Sequence, residues 1–346
     1  MDSLRALAHE AGDPAVTSSG IPDAARIPGV EEHSISINGA KWRCLRAGSG
    51  PALLLVHGLM AYSWSWRFNL LELAQTFTVY APDLAGCGFS ERADFLSGSL
   101  ESDAEGLIAL MDHFGAECFH LLGSSRGGGV AVVLAGLLAK HEASSRLGRM
   151  ILCAPMNPWS GFGKGRTRLF STPPGRQFLI HIAPHLLSIM KIYYRDLYGD
   201  PSRIAPGSLA GYEAGLVVPH SFRHLTRIVS RWHTDLRQVE SMLPLLQELP
   251  TLLLWGSRDG VVYPPSACEM QERLANSTVL MMDGVGHLPY EEVPAEFNRI
   301  VCDFLLRQRP GTPLEAESCE DLQAAANPTS SDRRPVATAP RAPARD

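Results

Sequence analysis

Residues 118–140 read CFHLLGSSRGGGVAVVLAGLLAK, and this stretch decides how the rest of the chain is read. A continuous apolar run, CFHLL, passes through Gly123-Ser124-Ser125-Arg126-Gly127, a G-x-S-x-G match, into small and apolar residues of helix length. A strand buried on both faces reads as such an unbroken run, not as an alternation. Where that strand must turn sharply into a helix, flanking glycines keep side chains out of the crowded turn while the serine takes a strained conformation. Ser125 is therefore expected at a strand end, held up at the sheet edge. A serine hydroxyl is a poor nucleophile at neutral pH, so a base and an anion site are required beside it.

Working outward, the same kind of run recurs as ALLLVHG (52–58), FTVYAPDL (77–84), MILCAP (150–155), TLLLWGS (251–257) and TVLMMDG (278–284). Helix-length segments lie between them, at roughly 62–75, 99–114, 126–140, 265–275 and 290–308. Strand and helix in regular succession imply right-handed crossovers and an α/β fold with a mostly parallel, doubly wound sheet. HSISINGAKWRCLRAG alternates and breaks at Asn38-Gly39, which predicts a hairpin at the entry to the domain. One interval breaks the rhythm: residues 156–243 contain no clear strand and are helical in pattern near 176–198 and 222–239. They read as a helical cap over the strand C-termini, where open α/β sheets bind ligands. The core is then 30–155 with 244–308. Residues 1–29 read as a partly disordered extension, and the Pro/Ala-rich residues 309–346 as a disordered tail that buries too little to offset its ordering entropy.

The 346 residues are 45% hydrophobic and 19% charged with a net charge of −5, which is the balance of an ordinary globular protein. No basic block tracks a phosphate backbone, so nucleic acid is not an expected partner; a small-molecule substrate is. No apolar run reaches the roughly 18 residues of a membrane span. The N-terminus lacks the basic start and apolar core of a signal peptide, so a cytoplasmic location is expected. Seven scattered cysteines without a C-x-x-C pair read as reduced and mostly buried. His120 lies in a strand with no ligand-spaced partner, and neither a metal nor a cofactor is indicated.

The base required by Ser125 is expected at His287 in MMDGVGHLPYEE, after the last apolar run and the only histidine beyond His233. The acid is expected at Asp259 in LLLWGSRDGVV, again just past a strand; a rival after Cys153-Ala154-Pro155 would need a carboxylate where the nearest polar group is Asn157. Ser, Asp, His is the chain order of one fold's triad. Asp259 would fix the His287 tautomer, and His287 would take and return the Ser125 proton. An oxyanion site is legible in the backbone N–H groups of Leu59, in His57-Gly58-Leu59-Met60, and of Arg126. The Arg126 side chain either orients a substrate carboxylate or pairs with a structural acid, the second being favoured. Met60, Trp159, Tyr193, Tyr194 and Leu288 are candidate substrate contacts; of the insertion's aromatics, including Tyr198 and Tyr212, packing is the default role. His57 belongs to the turn that shapes the anion site and is not read as a base.

Over residues 30–308 the chain resembles the α/β-hydrolase superfamily, in particular its capped members. The likeness rests on H-G-L-M at 57–60, P-D-L-A-G-C-G-F-S at 82–90, G-S-S-R-G at 123–127, W-G-S-R-D at 255–259 and G-H at 286–287. It implies that Asp83 shapes a structural loop. The elbow is similar to the G-x-D-R-G-G of epoxide hydrolases and some dehalogenases, with serine in place of their nucleophilic aspartate, so an alkyl-enzyme route is closed and an acyl-enzyme route is open. In the C–C hydrolases of aromatic degradation a Trp follows the histidine; Leu288 stands here. The expected activity is that of a cofactor-independent serine hydrolase acting on a carboxylic ester or related acyl bond. The alternatives are C–C hydrolysis, acyl transfer or biosynthetic lyase chemistry on the same site, and a non-catalytic ligand receptor.

Overall fold

A computed structural model describes residues 21–161, 164–186 and 193–306. The expected tail, 309–346, and most of the expected N-terminal extension lie outside the described residues. Within the remainder of that extension, Ile21 and Ala25 are buried, packed into one of the two core layers.

Eight strands form one sheet: β1 (Glu31–Ile37), β2 (Ala40–Ala47), β3 (Ala52–Val56), β4 (Thr78–Pro82), β5 (Phe119–Ser124), β6 (Leu147–Cys153), β7 (Thr251–Gly256) and β8 (Ser277–Met282), in the order β1-β2-β4-β3-β5-β6-β7-β8. β1 and β2 form the expected antiparallel hairpin, Ile37 facing Ala40, with Asn38 and Gly39 both at positive φ (49° and 83°) as a two-residue turn of this twist requires. β2 runs antiparallel to β4, and from β4 onward every pairing is parallel. The continuous apolar runs follow from coverage on both faces. In β3, Leu54 and Val56 enter one core layer and Leu53 and Leu55 the other, as the two-residue period of a strand dictates.

The helices are α1 (Leu70–Leu73), α2 (Leu100–His113), α3 (Arg126–Lys140), α4 (Lys164–Ser171), α5 (Pro173–His181), α6 (Ser208–Leu216), α7 (Ser221–Met242), α8 (Ser266–Gln271), α9 (Pro289–Glu292) and α10 (Pro294–Leu305). α3 is apolar all round because it is buried all round, from Arg126 to Leu138. α7 packs on it, with Met242 against Gly136.

Two single helices expected from sequence are broken in the structure. The segment 62–75 is a 3-10 turn, Ser63–Trp66, followed by the one-turn α1, because tertiary bonds claim its polar groups: Ser63 N–H donates to Asp83 and the Asn69 amide to the Tyr290 carbonyl. The segment 290–308 is divided into α9 and α10 by Pro294, whose ring pushes Val293 out of helical geometry (φ −137°, ψ 60°). Between β6 and β7 the described residues contain no strand; α4 and α6 were not anticipated, whereas α5 and α7 overlap the helical patterns read at 176–198 and 222–239. Of the six cysteines described, Cys44, Cys153 and Cys268 are buried and Cys118 is exposed, so the expectation of mostly buried thiols holds for half of them.

Candidate active site

The turn from β5 to α3 has the strain the glycine spacing predicts. Ser125 sits at φ 53°, ψ −120°, a conformation that side-chain-bearing residues rarely hold. It is held there by hydrogen bonds to the next strand's end: Ser125 N–H donates to Cys153 O at 2.9 Å, and Met156 N–H to Ser125 O at 2.8 Å. The glycines are demanded by close approach. A Cβ on Gly127 would stand 2.3 Å from the Val56 carbonyl oxygen, and one on Gly123 would stand 2.4 Å from that of Gly127.

Beside the elbow, the loop after β3 brings Gly58 against the serine; a Cβ there would lie 3.2 Å from Ser125 Cβ. His57 locks this loop. Its Nδ1–H donates to Gly58 O at 2.9 Å and its Nε2 accepts from Leu84 N–H at 3.0 Å, and burial depresses its pKa to about 4. A neutral imidazole spent on two backbone bonds is a structural part, as the sequence reading has it. Among the described residues neither Leu59 N–H nor Arg126 N–H is bonded to an acceptor, although both flank the serine. Two unspent donors, one at the start of α3 and one in the loop after β3, are suited to a developing oxyanion.

Asp259 and His287 come from the loops after β7 and β8. One Asp259 carboxylate oxygen accepts from Val261 N–H (2.7 Å) and Val262 N–H (2.9 Å), which fixes the group; the other accepts from His287 Nδ1–H at 2.8 Å. Both residues are buried. That bond assigns the proton to Nδ1 and leaves Nε2 as an acceptor; His287 and Ser125 line the same cavity. Asn157, at the place of the rival acid, is occupied structurally, accepting from Trp159 and Ser160 N–H and donating to Ser266 Oγ.

The cavity measures about 290 Å³ and is mostly apolar. Leu59, Met60, Ser125, His287 and Leu288 form its floor, and α4, α5, α6 and α7 supply Phe170, Leu179, Tyr212 and Trp232 opposite. Tyr193 and Tyr194 line it; Trp159 lies outside, its indole covered by the Arg273 guanidinium at 4.3 Å. The Arg126 side chain also points away, buried against Asp103 at 2.8 Å and donating to Gly98 O at 2.9 Å, the structural role favoured from sequence. Asp83 is equally structural: it accepts from Ser63 and Phe89 N–H, both at 2.8 Å.

Sequence reasoning missed the carboxylates that follow His287. Glu291, fully buried, pairs with Arg67 at 2.7 Å and accepts from the phenols of Tyr194 (2.9 Å), Tyr198 (2.8 Å) and Tyr212. Burial and the neighbouring Glu291 charge push those phenols well above their usual range, so they remain donors. Glu292 accepts from Gly199, Asp200 and Gly286 N–H and pairs with Arg203. His287 N–H itself donates to Leu197 O at 2.6 Å. The histidine loop is thus bound on three sides to residues 194–212. The one sequence signal was the acidic pair inside an otherwise apolar stretch, L-P-Y-E-E-V.

Strand order, elbow and the groups around it define a hydrolase of the α/β type. The alpha/beta hydrolase family profile matches residues 53–300, and the chain belongs to that family. An uncharacterized protein of Mycobacterium tuberculosis is 29% identical over 285 residues, covering 76% of this chain and 78% of that one. N-formylmaleamate deformylase of Pseudomonas putida is 26% identical over 268 residues, covering 76% and 92%. A solved meta-cleavage product hydrolase from Pseudomonas fluorescens shares the fold with a TM-score of 0.64 at 23% identity, covering 79% of this chain and 96% of that one. Among the described residues no helix is long and apolar enough to cross a membrane.

Proposed function

We propose that this hydrolase cleaves a carboxylic ester or related acyl bond through an acyl-enzyme on Ser125, under a cap formed by the segment between β6 and β7. The observation that carries the reading is the strained serine lining one cavity with a histidine whose Nδ1 is bonded to a buried carboxylate. His287 Nε2 takes the Ser125 proton as Oγ attacks the carbonyl carbon. The Leu59 and Arg126 N–H groups hold the oxyanion, worth about 2.7–4 kcal/mol of barrier for each donor. His287 returns the proton to the leaving alcohol, and a water deprotonated by His287 then releases the acid.

Ser125→Ala should fold as the parent and lower hydrolysis of p-nitrophenyl acetate by about 10⁴-fold or more. Parental turnover in that variant would end the proposal. The names of the deformylase and the meta-cleavage product hydrolase favour a second reading, attack on a carbonyl whose leaving group is nitrogen or carbon. Each of these hydrolyses places one solvent oxygen in the acid product, so the other product identifies the broken bond; acyl transfer to an alcohol or amine places none.

A further inference from the structure

Between Glu142 and Asp196 the sequence has no acidic residue, and residues 164–195 hold Lys164, Arg166, Arg168, Arg176, Lys191 and Arg195 in a chain whose net charge is −5. The cations are spaced and form no contiguous basic block; what sets the segment apart is the absence of acids. Among the described residues Arg168 on α4 and Arg176 on α5 have no ion-pair partner.

The same helices expose side chains that folding ordinarily hides. Leu169 is 59% exposed, Phe178 38% and Ile182, just past α5, 48%. Phe178 and Ile182 are four positions apart and share a helix face. This apolar surface continues inward: Phe178 stacks on Phe170 with ring centroids 6.1 Å apart, and Phe170 lines the Ser125 cavity. Tyr193 both lines the cavity and is 38% exposed. A second cavity of about 300 Å³ opens against α5, lined by Ile180, Pro184 and Val217 among others.

Unpaired cations on one side of a helix whose other side exposes Phe and Ile, as Arg176 stands to Phe178 and Ile182 along α5, are the composition of a surface that lies on lipid: the cations hold anionic headgroups and the apolar side chains enter the acyl boundary. An acidic protein seated here would cover Phe178 and Tyr193 and close the apolar path to the cavity. A lipid surface leaves that path open and supplies acyl chains to it. We propose that α4 and α5 form a docking surface for an anionic lipid bilayer, and that the cavity takes a long-chain acyl ester from it; the second half rests on the esterase reading above, the first does not.

The test uses the full chain carrying Ser125→Ala, so that no lipid is consumed, in sedimentation with vesicles of equal parts phosphatidylglycerol and phosphatidylcholine or of phosphatidylcholine alone. Binding is expected to the anionic vesicles only, and to fall as salt rises from about 0.05 to about 0.5 M. Near such a surface each cation is worth about fivefold in partition, so Arg168→Gln with Arg176→Gln should weaken binding about 30-fold. Phe178→Ser with Ile182→Ser should weaken it while keeping the salt dependence. Circular dichroism and melting accompany each variant, and the comparison of the two vesicle types stands without any of them. Equal binding to both vesicle types, no binding at low salt, or unchanged binding by variants that melt like the parent would overturn the proposal, as would capture of an acidic protein at this face without vesicle binding. Ester hydrolysis by the unsubstituted chain is read separately in solution. Its loss with vesicle binding retained removes the esterase reading and leaves the docking surface; the converse removes the surface and leaves the esterase.

Discussion

Replacing Arg126 with Met tests how the elbow is supported from behind. The guanidinium is 2% exposed, 2.8 Å from Asp103 and 2.9 Å from the Gly98 carbonyl. Methionine keeps aliphatic bulk and removes the charge, leaving buried Asp103 without its partner. Removing one member of a buried pair costs about 3–5 kcal/mol. Over roughly 280 ordered residues at ~2.1 cal/mol/K each, the unfolding entropy is near 0.6 kcal/mol/K, so the melting midpoint should fall by about 5–8 °C. Burial already holds the Asp103 carboxyl above its ordinary range, against the opposing pull of Arg126, and removing that pull raises it further. The folded variant then binds more protons than its unfolded chain above about pH 4, and stability falls as pH rises through that window. Calorimetry should therefore show a larger loss at pH 7 than at pH 4. Arg126→Met with Asp103→Leu, which removes both charges, should recover most of it. A single variant losing less than about 1 kcal/mol at pH 7, or a double variant no more stable than the single, would refute the reasoning.

Three further outcomes are expected. Asp259→Asn removes the acceptor that holds His287 Nδ1–H at 2.8 Å, and kcat on a soluble ester should fall about 10⁴-fold with the fold intact; a loss below tenfold would contradict the assignment. Gly127→Ala would set a Cβ 2.3 Å from the Val56 carbonyl oxygen, so urea denaturation should show a loss of about 3 kcal/mol or more, and parental stability would show that the elbow can move. Asp235 is buried, which pushes its carboxyl up to about 6, so its charge opposes folding as pH rises from about 4. Relative to the parent, Asp235→Asn should gain about 2–3 kcal/mol between pH 4 and pH 7; a gain equal at both values would place the carboxyl elsewhere.

What was legible in the sequence was local. Ser125 announced itself because the sharp turn from β5 to α3 admits only glycine two residues to either side, and that requirement is written into adjacent positions. Asp259 and His287 stood just beyond apolar runs, and the parallel sheet sets all such run-ends along one edge. Arg126 could be weighed because its two roles were chemically distinct. Glu291 was not legible: its partners Tyr194, Tyr198 and Tyr212 lie 97, 93 and 79 residues away, and a glutamate reads as exposed until such partners are known. Trp159 was a reasonable pocket candidate by composition, and only the position of Arg273 explains where its indole went. The break in 62–75 depends on tertiary bonds that no local pattern carries, whereas the break in 290–308 is written in the sequence as Pro294.

Because His287 hangs from the Leu197 carbonyl, and Glu291 and Glu292 fasten the same loop to residues 194–212, the histidine and the roof of the cavity cannot be rearranged independently. On the proposed mechanism, any swing of that roof wide enough to admit a bulky guest would draw the imidazole with it and leave Ser125 without its base. Transplanting a foreign roof to change substrate range would succeed only where the graft restores that carbonyl and the Gly199 amide in place.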